Sequence, residues 1–274
     1  SNESIHGGAI SNYSGTRFIS LENVQIENNR AYLKGGGIHA GGGEMTLSQV
    51  TVTNNTSDDD GGGITVDGGS IFLNDSQIKN NQANASGGGI YILNGSARIE
   101  RTLLEGNSTQ EHGGAVLNED EASLYECTVQ NNESAGLGGG LLNRGEMIVE
   151  ESTIDSNTAE QEGGGIGNIG GTAQLTVGEC VFSENVTELA GGGIHNTVAM
   201  SARGNMFDGN TAETDGGGIN NKGTATILDS TFVGNVASRG GGLASVDGAT
   251  TLVNSTFSGN IASHFGGGIF NMVG

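Results

Sequence analysis

A glycine motif repeats along the whole chain. Gly-Gly-Gly-Ile, with close variants, occurs eleven times at intervals of 24 to 28 residues. A repeat of this length is typical of solenoids, in which each unit buries its apolar side against its neighbours. The motif therefore predicts one continuous domain over residues 1–274. The motifs end at Ile10, Ile38, Ile64, Ile90, Val116, Leu141, Ile166, Ile194, Ile219, Leu243 and Ile269.

Two series of asparagines recur with the same period as the glycine motif. In the first series each asparagine stands three residues after an apolar residue, as Asn210 does after Phe207. Stacked amides can donate and accept along the stack, so we expect hydrogen-bonded ladders at two corners of each coil. The first series is Asn29, Asn55, Asn81, Asn107, Asn132, Asn157, Asn185, Asn210, Asn235 and Asn260. The second is Asn118, Asn143, Asn168, Asn196, Asn221 and Asn271, with Ser245 interrupting it.

Apolar columns between the motifs predict strands that face a core on one side. Apolar and polar positions alternate with a period of two, and no run has the helical period of 3.6. The 52 glycines disfavour helix, and the absence of proline suits strands that pair on both edges. The fold class predicted is all-β, a right-handed parallel β-helix of about eleven coils of 24–28 residues. The main inward column is Ile26, Val52, Ile78, Leu104, Val129, Ile154, Phe182, Phe207, Phe232 and Phe257.

Two short motifs predict turns, and the position of the two cysteines in the repeat predicts whether they form a disulfide. Asp67-Gly68 and Asn94-Gly95 are dipeptides that predict turns between strands. Cys127 and Cys180 fall in one inward column with Ser152 between them, which separates them by two coils, or roughly 9.6 Å. Because the Cβ atoms of a disulfide lie about 3.8 Å apart, we expect two free, buried thiols.

The repeat resembles a known family. Glycine-glycine-apolar motifs alternate with Phe-x-x-Asn, which is intact at Phe182 to Asn185, Phe207 to Asn210, Phe232 to Asn235 and Phe257 to Asn260. This pattern is similar to the repeat of the polymorphic outer membrane proteins, whose passengers are right-handed β-helix autotransporter adhesins. The resemblance implies a surface-displayed β-helix with an adhesive role. Since the chain begins and ends inside the repeat, we expect it to be a segment of a longer protein.

The net charge of the chain limits the kinds of partner that it can bind. The chain has 31 acidic and 10 basic residues, and its formal net charge is -21. This charge disfavours nucleic acid and anionic lipid, and no apolar run approaches the 18 or so residues of a membrane span. We therefore expect an extracellular or cell-surface protein that binds a host or cell-surface protein or glycan, without nucleic acid or direct membrane insertion.

Carboxylates supply the candidate binding residues. Glu126, Glu151 and Glu179 form an outward column with Glu150 beside it, and the run from Asp58 through Asp59 to Asp60 lies on a loop. Like charges stacked at the spacing of a sheet repel unless a cation or a basic partner intervenes. Both sets are candidate sites for such a partner, and oxygen-rich loops can take calcium. The simpler interpretation is a solvated acidic face.

Two classes of function remain open on these residues. The strict regularity of the coils favours a structural or adhesive segment, acting as a stalk or a binding surface. The alternative is a polysaccharide-degrading β-helix enzyme, either a lyase or a glycoside hydrolase, using the stacked outward carboxylates. The five histidines are scattered over distant coils, so no metal cluster, catalytic residue or cofactor is assigned, and calcium is the one candidate ion.

Overall fold

The computed structural model describes residues 1–13 and 18–273, which form strands and turns in stacked coils. Equivalent residues pair from coil to coil in parallel register; Ile64, for example, lies between Ile38 and Ile90. Each coil contributes strands to four faces, numbered here in the order in which the chain passes through them. The predicted parallel β-helix is confirmed.

Faces 1 and 4 are joined by two long strands, Ile64–Asn74 and Ile90–Glu100. The other strands of face 1 are Phe18–Glu22, Gly43–Ser48, Glu121–Tyr125, Glu146–Glu150, Gln174–Gly178, Ala199–Arg203, Thr224–Leu228 and Ala249–Val253. Those of face 4, which follow the glycine motifs, are Ile10–Asn12, Ile38–Ala40, Val116–Asn118, Leu141–Asn143, Ile166–Asn168, Ile194–Asn196, Ile219–Asn221, Leu243–Val246 and Ile269–Met272.

Faces 2 and 3 are sheets of shorter strands. Face 2 comprises Gln25–Glu27, Thr51–Thr53, Gln77–Lys79, Leu103–Glu105, Thr128–Gln130, Thr153–Asp155, Val181–Ser183, Met206–Asp208, Thr231–Val233 and Thr256–Ser258. Face 3 comprises Glu3–His6, Arg30–Lys34, Thr56–Ser57, Gln82–Ala83, Ser108–Thr109, Glu133–Ser134, Thr158–Ala159, Val186–Thr187, Thr211–Ala212, Val236–Arg239 and Ile261–Phe265.

The core consists of columns of side chains. At each inward position of the coil, the side chains of successive coils stack on one another. Ile78 and Ile154 are fully buried in the aliphatic part of the main column. Further along, the rings of Phe182, Phe207, Phe232 and Phe257 stack with centroids 4.5 to 4.7 Å apart and planes within 8° of parallel. These four rings form one continuous stack, which buries large apolar surface in the coils that it crosses.

Both asparagine ladders are present. At Asn157 the backbone N–H and the side-chain amide donate to Asn185 Oδ1 at 3.1 and 3.0 Å, and the same amide donates to Val129 O at 2.9 Å. In the second ladder Asn143 Nδ2 donates to Asn168 Oδ1 at 2.8 Å. That ladder ends at Asn221 because the next residue in the column, Ser245, has no amide to continue it.

Three corners of each coil have backbone in the left-handed region. The third corner is the first glycine of the motif, for example Gly138 at φ 68°, and a Cβ on the following Gly139 would lie 2.4 Å from Thr158 O. The first corner follows face 1 and the second follows face 2. The first-corner residues are Asn23, Gln49, Asp75, Arg101, Glu126, Glu151, Glu179, Gly204, Asp229 and Asn254, and most second-corner residues are asparagine or glycine.

Two turn predictions are wrong in detail. Asp67-Gly68 and Asn94-Gly95 lie inside the two 11-residue strands instead of separating strands. Gly68 at φ 99° and Gly95 at φ 110° bend the chain while the coils above and below keep its hydrogen bonds, with a register shift near Asp67. Glycine thus allows a strand to pass a corner without interruption.

The cysteines are free and buried, as predicted. Cys127 Sγ lies 3.3 Å from Tyr125 O, and Cys180 Sγ lies 3.2 Å from Gly178 O. Burial raises the pKa of both thiols to about 11, so they stay protonated and act as small core residues.

No helix within residues 1–13 and 18–273 is long and apolar enough to cross a membrane.

Candidate functional site

A cleft of about 310 Å³ opens on the outer surface of face 1. It brings together three of the predicted glutamates, Glu150, Glu151 and Glu179, with the guanidinium of Arg203 opposite them. The remaining lining residues are Thr176, Val177, Gly178 and Ser201. The cleft therefore combines carboxylates, hydroxyls and one cationic group on neighbouring coils.

The cleft exists because one outward side chain is missing. Along the outward column of face 1, Tyr125 is followed by Glu150, Gly178 and Arg203 in successive coils. Glycine leaves a gap between the Glu150 and Arg203 side chains. A Cβ placed on Gly178 would lie 3.7 Å from Glu150 Cγ, which is an ordinary contact, so neither close approach nor a positive φ requires glycine here.

Glu151 and Glu179 reach the cleft from the first corner. Their φ angles are 50° and 53°, in the left-handed region that glycine and asparagine adopt most easily. In three of the other eight coils this corner is asparagine or glycine, at Asn23, Gly204 and Asn254, and in the remaining five it is another polar residue. Glutamate is therefore a costly choice for the backbone at this corner, and its carboxylate points outward.

The cleft carboxylates are unpaired. Among the described residues, none of Glu150, Glu151 and Glu179 makes a salt bridge or a side-chain hydrogen bond. Arg203 contacts Asp229 instead, with Nε 3.3 Å from Oδ2, and its side chain is 74% exposed. Three anionic groups beside one partly paired cation leave the cleft net negative and suited to a ligand with cationic and hydroxyl groups.

Glu126 belongs to the same corner column but not to the cleft. It lies one coil before Glu151, and its Oε2 is 4.0 Å from Arg101 Nη1. Arg101 is itself shared with Asp75 and Glu100. The structure thus places Glu126 at the edge of an exposed ion-pair network.

The aspartate run is a separate feature and is partly neutralised. Asp58 pairs with Arg30 at 2.7 Å, and Asp60 bridges to the backbone of Lys34 in the preceding coil. Burial and the neighbouring Asp59 raise the pKa of Asp60 to about 6, although the Ser86 N–H donates to Asp60 Oδ1 at 3.2 Å. These contacts assign the run a role in joining loops of adjacent coils.

Metal binding by the carboxylates has no preformed site. Within the described ranges no group of three or more histidine, cysteine, aspartate or glutamate side chains is arranged to hold a metal ion. The calcium expectation stays a prediction, tested by whether millimolar CaCl₂ raises the melting temperature; an unchanged melt would contradict it.

Two histidines on face 4 are buried and neutral. His39 and His195 occupy equivalent positions after the motif isoleucine, and each is 3% exposed. Burial, with a smaller effect of His6, lowers the pKa of His39 to about 4. Burial also lowers the pKa of His195 to about 3, and its Nδ1 lies 3.1 Å from Asn220 Nδ2.

Sequence reasoning missed Gly178, Arg203, Thr176 and Ser201. The signal that could have found them is the outward column of face 1, in which a glycine replaces a large side chain between Glu150 and Arg203. The register that aligns Glu126, Glu151 and Glu179 also aligns the residues that precede each of them, so this signal was already present in the sequence.

Comparison with known proteins agrees with this geometry. The family described as "Right handed beta helix region" matches residues 44–212, which is more than half of the chain. The "Chlamydia polymorphic membrane protein (Chlamydia_PMP) repeat" matches residues 23–41 and 254–272. No curated protein and no solved structure matches the chain. The chain therefore belongs to the right-handed β-helix family, and its repeats resemble those of the polymorphic membrane proteins, a group of surface proteins.

Proposed function

We propose that this chain is an adhesive β-helix segment of a surface-displayed protein, which contacts its partner through the outer surface of face 1. The observation that carries the proposal is the division between a uniform interior and a varied exterior. Ladders and stacked columns fill the interior of the described coils and stabilise the rod. The exterior concentrates unpaired charge in one stretch of the rod.

Charge in that stretch is strongly one-sided. Residues 100–188 contain 17 of the 31 carboxylates and two of the ten basic residues. The three carboxylates of the cleft beside Gly178 lie within this stretch, and none of them has an ion-pair partner in the described chain. A partner protein or glycan that presents amino or guanidinium groups beside hydroxyls would complement it, and charge would also speed association.

Placement outside the cell is part of the same proposal. The repeats at residues 23–41 and 254–272 support it, because the group they resemble consists of membrane-associated surface proteins. A rigid rod of stacked coils can hold a binding face away from the surface that carries it.

Surface plasmon resonance against an immobilised lysine-rich peptide tests the proposal. We expect saturable binding that weakens about tenfold or more between 50 and 500 mM NaCl, because the attraction is electrostatic. Glu151→Gln should weaken binding at low salt, whereas Thr46→Ala, on face 1 but far from the cleft, should not. Absence of binding at low salt would contradict the proposal.

A second candidate is cleavage of an acidic or neutral polysaccharide. The observation that favours it is the meeting of Glu150, Glu179 and Arg203 around one cleft on stacked coils. Incubation with polygalacturonate, pectin and neutral glycans, followed by a reducing-end assay, separates the two functions. Depolymerisation that disappears in Glu151→Gln would replace the adhesive role with a catalytic one.

A further inference from the structure

The N-terminal coils contain a small aromatic box outside the acidic surface. His6 ends the first strand of face 3, and His39 lies in the face 4 strand of the following coil. Their ring centroids are 5.1 Å apart with planes tilted by 40°. The Tyr13 ring covers both, at 5.8 Å from His6 and 5.2 Å from His39.

Both imidazoles have a buried nitrogen without a partner. The Nδ1 atoms of His6 and His39 are inaccessible to solvent, and neither has a hydrogen-bond partner among the described residues. Buried polar atoms are nearly always paired, because an unpaired one costs about 1–3 kcal/mol. His195 shows the ordinary solution, since its Nδ1 contacts Asn220 Nδ2 at 3.1 Å. The unpaired Nδ1 atoms of His6 and His39 are therefore available to a partner from outside the chain.

The spacing of the two rings matches that of imidazoles bound to one metal ion. Zinc–nitrogen bonds are about 2.0–2.1 Å long, and a ring nitrogen lies about 1.1 Å from the ring centre. Two imidazoles on a tetrahedral zinc ion therefore have ring centres about 5.1 Å apart. The observed separation of His6 and His39 is 5.1 Å.

Gly41 packs against the edge of the His39 ring that carries Nδ1. A Cβ at position 41 would lie 2.7 Å from His39 Cε1 and 3.2 Å from His39 Nδ1. Any other residue would push against the imidazole edge that carries the orphaned nitrogen. Gly41 is fixed in place by its N–H, which donates to Asn12 O at 2.7 Å.

We propose that His6 and His39 form a two-histidine site for a borderline divalent transition-metal ion, with Zn²⁺ as the representative ligand. Imidazole suits such ions better than calcium or magnesium, which prefer oxygen ligands. Water completes the coordination once the exposed Tyr13 ring turns aside from the two imidazoles. With half the ligands of a structural zinc site, the expected Kd is about 1–100 µM.

Isothermal titration with ZnCl₂ in a non-chelating buffer tests this site. We expect one ion per chain, loss of at least about tenfold in affinity in His6→Gln and His39→Gln, and a smaller loss in Gly41→Ala. His195→Gln is the matched control, because it occupies the column position of His39 but has a partner; it should bind zinc as the unmodified chain does.

Side-chain nitrogen NMR gives an independent measurement that does not depend on a buried variant folding. Zinc should shift the ring nitrogen signals of His6 and His39 and leave those of His195 unchanged. Binding that persists in His6→Gln, a zinc-induced shift confined to the exposed His264, or no binding up to about 1 mM zinc would each overturn the proposal. The lysine-peptide binding proposed for face 1 would be unaffected by any of these results.

Discussion

The middle coils, residues 100–188, and the last coils, residues 189–273, share an interior but differ outside. The first asparagine ladder crosses both with the same geometry: Asn157 donates to Asn185 at 3.0 Å, and Asn210 donates to Asn235 at 2.9 Å. Outside, the middle coils have 17 carboxylates and the last coils have five. Residues that contact the coils above and below are constrained by them, whereas outward residues are free to differ.

The interiors differ in one respect, which is the filling of the main column. The middle coils have Leu104, Val129 and Ile154 before the ring stack starts at Phe182, and the last coils continue that stack with Phe207, Phe232 and Phe257. Phenylalanine adds buried area and ring-on-ring contact, while a stack of aliphatic side chains provides packing alone. The last coils thus have less outward charge and a larger apolar core.

The largest expected loss of stability comes from a substitution in the interior of the last coils. Phe207→Ala should lower the free energy of unfolding by about 4–5 kcal/mol, because it removes a buried ring and both of its stacking contacts. Ile154→Ala, at the same position in the middle coils, should cost about 3 kcal/mol. Urea denaturation followed by circular dichroism measures both values. Equal costs would show that ring stacking adds nothing beyond burial.

Next in size is the asparagine ladder, where the two regions should respond alike. Asn157→Ala and Asn210→Ala should each cost about 2–4 kcal/mol, because each deletes an amide bonded to the next coil and leaves donors of the preceding coil unpaired. The exposed residues Thr158→Ala and Glu213→Ala serve as controls in the same denaturation experiment. A difference between the two ladder variants larger than that between the controls would contradict a uniform ladder.

Acid should destabilise the rod through its buried histidines. The pKa of His195 is about 3 in the folded chain and about 6.5 when unfolded, so the unfolded state binds the proton first. Stability is therefore lost as pH falls from about 6.5 towards 3, by at most about 5 kcal/mol for this residue. His195→Gln should flatten that part of the pH profile of the free energy of unfolding. An unchanged slope would show that a group other than His195 causes the loss of stability.

The smallest expected change in stability is a gain, whereas the changes above are losses. Glu151→Asn should raise the free energy of unfolding by about 0.5–1 kcal/mol, because asparagine tolerates the left-handed corner and the substitution removes one of the stacked charges. The same variant should bind a lysine-rich peptide less tightly. Asn254→Glu, the reverse change at the same corner of the last coils, should destabilise by a similar amount. Thermal melts of both variants measure this, and two changes of equal sign would refute it.

Much of the fold could be predicted because its constraints are repeated in the sequence. Each inward position recurs about every 25 residues, so the ladders, the phenylalanine stack and the separation of Cys127 from Cys180 follow from register alone. The left-handed first and second corners were not foreseen, although their asparagines and glycines were visible. Residues such as Glu151 hid the pattern, since they occupy a glycine-like corner without resembling glycine.

The candidate sites were less predictable, because they depend on single coils. Glu150, Glu151 and Glu179 were identified as outward carboxylates, but the cleft requires the absent side chain of Gly178 and the guanidinium of Arg203. His6 and His39 are 33 residues apart and belong to different motifs. Their proximity comes from two strands, one on face 3 and one on face 4 of the next coil, whose histidine side chains meet at the corner between those faces.

The most direct test of the division between a structural interior and a binding exterior compares two charge-matched double variants. Glu151→Gln with Glu179→Gln removes two charges from the cleft, and Asp208→Asn with Glu213→Gln removes two from the last coils. Surface plasmon resonance against the lysine-rich peptide should show about tenfold weaker binding for the cleft variant and less than about twofold for the other. Equal weakening by both variants would show that net charge alone attracts the peptide and would contradict a localised binding face.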